Sequence, residues 1–234
     1  MPFQAGSSGE STVPRPAVAV TAAHVCGVAV SLFIVLVALL HVIEPEFGPL
    51  WRFVSEYSNG AHGWVMTLAF FVLASGCAAA VAAIRPHAHT KPAAIGLFCL
   101  AVAAVGLVMA ALFNQDPITS TVVTREGNLH AIGTMLGIPG FTIAALLLGS
   151  SLARQWPDVR MPLIWLSQLP WVSFASMLVY MALVMPTAGG FGPAVWVGLI
   201  NRLFLVAMCG WLLFVARHAG RARPSSPRSV AREP

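Results

Sequence analysis

Apolar residues fall into six long runs, at about 17–43, 62–84, 92–113, 128–153, 162–186 and 194–217, each set off by a short cluster of charge, proline or amide. Every run exceeds the ~20 residues a helix uses to cross ~30 Å of hydrocarbon at ~1.5 Å per residue. None alternates polar and apolar positions over ~10 residues, as a strand of a membrane barrel does. The pattern predicts an all-α fold, a polytopic membrane bundle of six transmembrane helices. Glu44-Pro45-Glu46 closes the first run, Arg85-Pro86 the second, Asn114-Gln115-Asp116-Pro117 the third, and residues 154–157 the fourth. Pro139 and Pro170 fall inside the fourth and fifth runs, where a missing N–H predicts a kink. Gly133 with Gly137, Gly76 with Ala80 and Gly106 with Ala110 place small residues four apart, a spacing that lets helix backbones approach closely. Between the first two runs, residues 49–57 are expected to form a short interfacial helix, with Trp51, Tyr57 and Trp64 anchored in the headgroup layer.

Composition narrows the class. Of 234 residues, 58% are apolar and 9% charged, with a mean hydropathy of +0.81. An ordinary soluble domain is about a quarter charged, so a soluble globule is excluded, and so is a chain with too little to bury. The net charge of +5 would suggest nucleic acid in a soluble protein. Here the basic residues flank the apolar runs and no aromatic-basic surface or nucleic-acid motif accompanies them, so that partner is excluded. Cys26, Cys77, Cys99 and Cys209 all lie within apolar runs without a C-x-x-C pair, and read as buried thiols rather than disulfides or zinc ligands. Residues 1–16 read as a disordered cytoplasmic lead, 17–217 as the transmembrane domain, and 218–234 as a disordered basic cytoplasmic tail lying on anionic inner-leaflet lipids.

Orientation follows from lysine and arginine. Arg15, Arg85, Lys91, Arg154, Arg160, Arg217, Arg221, Arg223, Arg228 and Arg232 collect on one side; Arg52, Arg125 and Arg202 lie on the other. Both termini are therefore expected in the cytoplasm. Five carboxylates, Glu44, Glu46, Glu56, Asp116 and Glu126, gather on the opposite, outer side, which the positive-inside rule does not require.

The candidate chemistry sits on that outer side. Arg202 lies about 12 Å into a sixth helix starting near residue 194. A charge at that depth costs at least ~2.5 kcal/mol on insertion scales, so it faces the bundle interior and seeks an anion. Two readings stand: a clamp onto Glu56, Asp116 or Glu126 that fixes the helices, or a ligand-binding arginine with Asn201 beside it. His62 and His130 open the second and fourth helices, with His41 at the end of the first. Their imidazoles are candidates for proton transfer, for a His/carboxylate metal site with Glu56 and Asp116, or for plain helix-end hydrogen bonds. No G-x-S-x-G elbow is present among the outer serines and threonines, Ser55 included.

Ser55-Glu56-Tyr57 followed by Gly63-Trp64-Val65-Met66-Thr67-Leu68-Ala69-Phe70, then Asp116, Thr124, Gly127 and His130-Ala131, then Gly198-Leu199 with Arg202 and Trp211, resemble in order the signatures of the domain of unknown function 998 family. The resemblance implies a six-helix protein of a bacterial or archaeal cytoplasmic membrane. It marks Glu56, Asp116, His130 and Arg202 as signature positions and implies no established activity. The family's layout is similar to that of the eukaryotic Frag and DRAM membrane families, some of them linked to lipid remodelling.

The functional expectation is an outer-leaflet polar pocket binding an anionic or polar amphiphile such as a lipid headgroup. Arg202 pairs with the anion, His62 and His130 donate or shuttle protons, and Glu56 and Asp116 orient them. Ser55, Arg125, Glu126 and Asn201 support the cluster. The alternatives are a lipid ester or phosphodiester hydrolase or transferase, with or without a metal, a small transporter, and a non-catalytic scaffold. Membrane lipids are the expected partners, and no cofactor is predicted.

Overall fold

Six helices account for the six apolar runs: α1 (Ala17–Ile43), α2 (Gly63–Ile84), α3 (Lys91–Leu112), α4 (Arg125–Leu152), α5 (Arg160–Leu183) and α6 (Val197–Ala219). All are long and apolar enough to cross a membrane, which makes this a multi-pass membrane protein. The computed structural model describes residues 17–221. The expected lead at 1–16, and the tail from 222 with its proposed lipid contact, lie outside the described residues.

Local capping sets where the helices begin. Thr124 accepts from the Gly127 amide at 3.0 Å, so α4 starts three residues before the apolar pattern does. Thr90 caps α3 by accepting from the Ala93 amide at 3.3 Å, with Pro92 in the first turn. α6 starts three residues later than the apolar pattern, because residues up to Trp196 belong to a connection turned at Gly189 and Gly190, both with positive φ.

Successive helices pack as antiparallel neighbours, and α6 returns to lie against α1 and α2, closing the bundle. The most extensive contact is between α3 and α4. There a Cβ on Gly106 would run into the Gly133 carbonyl and the Gly137 amide, so the two backbones touch. Pro139 and Pro170 lie inside continuous helices. α5 and α6 are joined in the core by the Trp211 indole, which donates to Ser167 Oγ at 2.9 Å, while Ser167 donates to the Leu163 carbonyl at 2.7 Å. The four cysteines are free thiols.

Three connections share one end of the bundle, residues 44–62, 113–124 and 184–196, and the first two carry Glu44, Glu46, Glu56 and Asp116. They pack on one another: Phe53 meets Phe191 edge-on at 6.2 Å, and the Leu199 amide at the start of α6 donates to the Leu50 carbonyl at 2.9 Å. The interfacial helix expected at 49–57 is absent. An irregular segment leads instead into a short 3₁₀ turn at Val54–Asn59, whose first amides are taken by side chains rather than by a continuing helix. Trp64 is an exposed aromatic, as expected of an anchor. Tyr57 is not: it is 1% exposed and packed between His41 and Phe47, with ring centroids 5.2 and 5.4 Å away.

Candidate functional site

Arg202 organises this end. With α6 starting at Val197, it lies only about 7–8 Å into the helix, shallower than the sequence pattern suggested. Its Nε donates to His41 Nε2 at 2.8 Å. Its Nη1 donates to the backbone carbonyls of Arg52 at 2.7 Å and Gly198 at 3.1 Å. Its Nη2 is buried and has no hydrogen-bond partner. The Tyr57 ring lies 6.0 Å from the guanidinium carbon. Gly198 makes the arrangement possible, since any Cβ there would collide with the backbone of Arg52, the segment that brings its carbonyl to Arg202. None of these partners is a carboxylate, so the clamp onto Glu56, Asp116 or Glu126 is not how the guanidinium is held.

Glu56 turns to other donors. Its Oε1 accepts from the Ile118 amide at 2.8 Å and Arg52 Nη1 at 3.1 Å, and its Oε2 accepts from the Phe53 amide at 3.2 Å. Its side chain is fully covered. Burial raises the Glu56 carboxyl above the usual range, although Ile118, Arg52 and Phe53 pull against the rise. Arg52 in turn lies over the Trp51 ring at 4.4 Å. Glu56 thus ties the first connection to the second. Ser55 Oγ donates to the Gln115 side-chain oxygen, Asn59 Nδ2 donates to the Gln115 backbone carbonyl at 2.9 Å, and Asn201 Oδ1 accepts from the Val54 backbone amide at 3.1 Å. Burial also raises the Tyr57 phenol, opposed by the neighbouring guanidinium of Arg202.

The other sequence-derived residues take separate partners. His62 precedes α2 and gives both its amide and its Nδ1 to Glu44 Oε1, the latter at 2.9 Å. Burial would raise the Glu44 carboxyl, but the His62 amide and imidazole, together with Glu46, hold it below the usual range. Asp116 accepts from the Thr124 amide at 2.9 Å and hydroxyl at 2.7 Å, and these bonds hold its carboxyl low. It therefore fixes the residue that caps α4. His130 lies in the second turn of α4, buried, with Nδ1 at 2.9 Å from the Phe113 carbonyl and its ring 6.1 Å from that of Phe70. Arg125 and Glu126 are exposed in the first turn of α4, where Glu126 complements the helix dipole.

Two spaces open beside these groups. A cavity of about 70 Å³ lies between α2, α3, α4 and α6, with Ser55, His130, Thr134 and Asn201 among its walls. A larger groove of about 660 Å³ runs between α1 and α6. Phe33, Ile34, Val37, Leu205, Val206 and Leu213 make it apolar, and His41 and Arg202 stand among its lining as the polar groups. Among the described residues, no three His, Cys, Asp or Glu side chains gather as a metal would require.

His41 and Glu44 are the functional neighbours that the sequence reading underweighted. His41 offered a signal: an imidazole in a stretch, Leu32–Ile43, of otherwise apolar residues at the end of α1. Its contact with α6 depends on the closure of the bundle, which no local pattern records.

The fold and this end define a class: a six-helix membrane protein with a tightly knit polar cap and a lateral groove headed by a guanidinium. The chain belongs to the family described as protein of unknown function (DUF998), whose model matches residues 27–218. No curated protein and no solved structure matches it.

Proposed function

We propose that the protein binds an anionic amphiphile at the seam between α1 and α6, its headgroup at Arg202 and its apolar chain in the groove. One observation carries this reading. A half-buried cation heads an apolar groove without touching any carboxylate, and its covered Nη2 has no hydrogen-bond partner. A charge in a membrane segment is costly and is usually matched by an opposite charge. An anionic headgroup supplies that match, and a phosphodiester or carboxylate suits the planar donor geometry of arginine.

Glu56, Asp116 and the Glu44–His62 pair are read as the frame that holds the cap, while Arg202 and His41 form the head of the site. The test is binding of short-chain phosphatidylglycerol, against phosphatidylcholine of equal chain length, to the full chain in a neutral detergent. Preference for the anionic lipid is expected, and Arg202→Gln is expected to weaken it by about tenfold to a hundredfold, as loss of a charged hydrogen bond implies. Dimethyl phosphate, which has the anion without the chains, is expected to compete poorly. Equal binding of both lipids by the unaltered protein would defeat the proposal.

A further inference from the structure

His41 is held by two hydrogen bonds that fix the position of its single ring proton. Its Nδ1 lies 2.7 Å from the Val37 carbonyl, an atom that only accepts, so Nδ1 carries the hydrogen. Its Nε2 lies 2.8 Å from Arg202 Nε, which only donates, so Nε2 is bare. The imidazole thus turns a bare Nε2 toward the guanidinium, in one defined tautomer. A second proton has one place to go, Nε2, where it would meet the Arg202 N–H donor end to end, cation against cation. An acceptor of negative charge bonded to both donors, once their direct contact has opened, removes that conflict.

We propose that the anion and a proton enter this site together. Uptake of an anionic oxygen breaks the direct 2.8 Å contact between Arg202 Nε and His41 Nε2, the two side chains part to bond it from either side, and His41 Nε2, newly protonated, becomes a second donor to it. The inference rests on the reading of Arg202 as an anion site and adds its regulation: acid favours binding, and binding raises the proton affinity of His41, by the reciprocity of linked equilibria.

The surroundings leave His41 without a competing anion. Tyr57 presents its ring at 5.2 Å, and α6 presents Arg202. Arg52 offers only its backbone carbonyl, and to Arg202; its own guanidinium is paired with Glu56 at 3.1 Å. Glu44, three residues along from His41, is engaged with His62.

The experiment measures binding of the same short-chain phosphatidylglycerol to the full chain across roughly pH 5 to 8, where imidazoles ordinarily titrate and the phosphodiester does not. Affinity is expected to rise as pH falls, by up to about tenfold per pH unit for one proton taken up per anion. His41→Gln keeps an acceptor for Arg202 but takes no proton, so it is expected to bind with a flat pH profile. His62→Gln is expected to keep the slope. A flat profile in the unaltered protein, or a slope that survives His41→Gln, overturns the coupling and leaves the Arg202 site standing. Absence of any anionic preference at every pH overturns both.

Discussion

A guanidinium near the end of a transmembrane helix costs free energy, at most ~2.5–3.5 kcal/mol on insertion scales at the helix centre. Arg202 offsets part of it with two carbonyls and an imidazole rather than with a carboxylate. That choice frees Glu56 to gather three N–H donors and Glu44 to gather two. Charge and sidedness identified Arg202 and Glu56 in the sequence as important. They did not identify which acid met which base, because all five carboxylates and three arginines lie on one side and the pairing is set by angstrom-scale placement of the connections. The Glu44 pairing has a measurable consequence. Its carboxyl titrates lower when folded than when unfolded, so it contributes stability above the ordinary carboxylate range and loses it as pH falls through the folded value. Asp116 has the same sign and Glu56 the opposite. The thermal midpoint in detergent is expected to fall between about pH 5 and pH 3, and Glu44→Gln to reduce that fall. An undiminished fall in the variant would remove Glu44 from the account.

At the scale of elements, the six helices were legible within about three residues because hydrocarbon imposes length and apolarity directly. The small-residue spacing also foretold a close helix pair. The first connection was not legible: Val54 is bonded to Asn201, 147 positions away, and Leu50 to Leu199, so local propensity had little say in its shape. The α3–α4 contact gives a discriminating pair of substitutions. Gly106→Ala pushes a methyl group into the α4 backbone, whereas a Cβ at Gly137 meets nothing nearer than the Ala103 carbonyl at 4.0 Å. Gly106→Ala is expected to destabilise the fold by about 1–3 kcal/mol, the usual cost of overpacking. Gly137→Ala is expected to be neutral or slightly stabilising. Both can be read from denaturant titration of the detergent-solubilised protein.

At the scale of the whole molecule, the sequence concealed the seam between α1 and α6. Residues facing lipid and residues facing other helices are equally apolar here, so neither helix advertises which face meets its partner. The groove along that seam supplies a test independent of the polar residues. Ala38 lines it and is exposed, so Ala38→Trp fills the groove without entering the packed interior. It is expected to lower phosphatidylglycerol binding at least tenfold while leaving the thermal midpoint within a few degrees, which corresponds to roughly ±0.5 kcal/mol for a surface substitution. Unchanged binding would show that the chain of the amphiphile lies elsewhere. The same seam also carries a temporal implication. His41 and Arg202 are separated by 161 positions, so during synthesis the first and last helices must both be inserted before either has its partner. A chain arrested before α6 leaves the Val54 amide and the Arg52 carbonyl without the groups that satisfy them. Assembly of the head of the groove thus waits for α6.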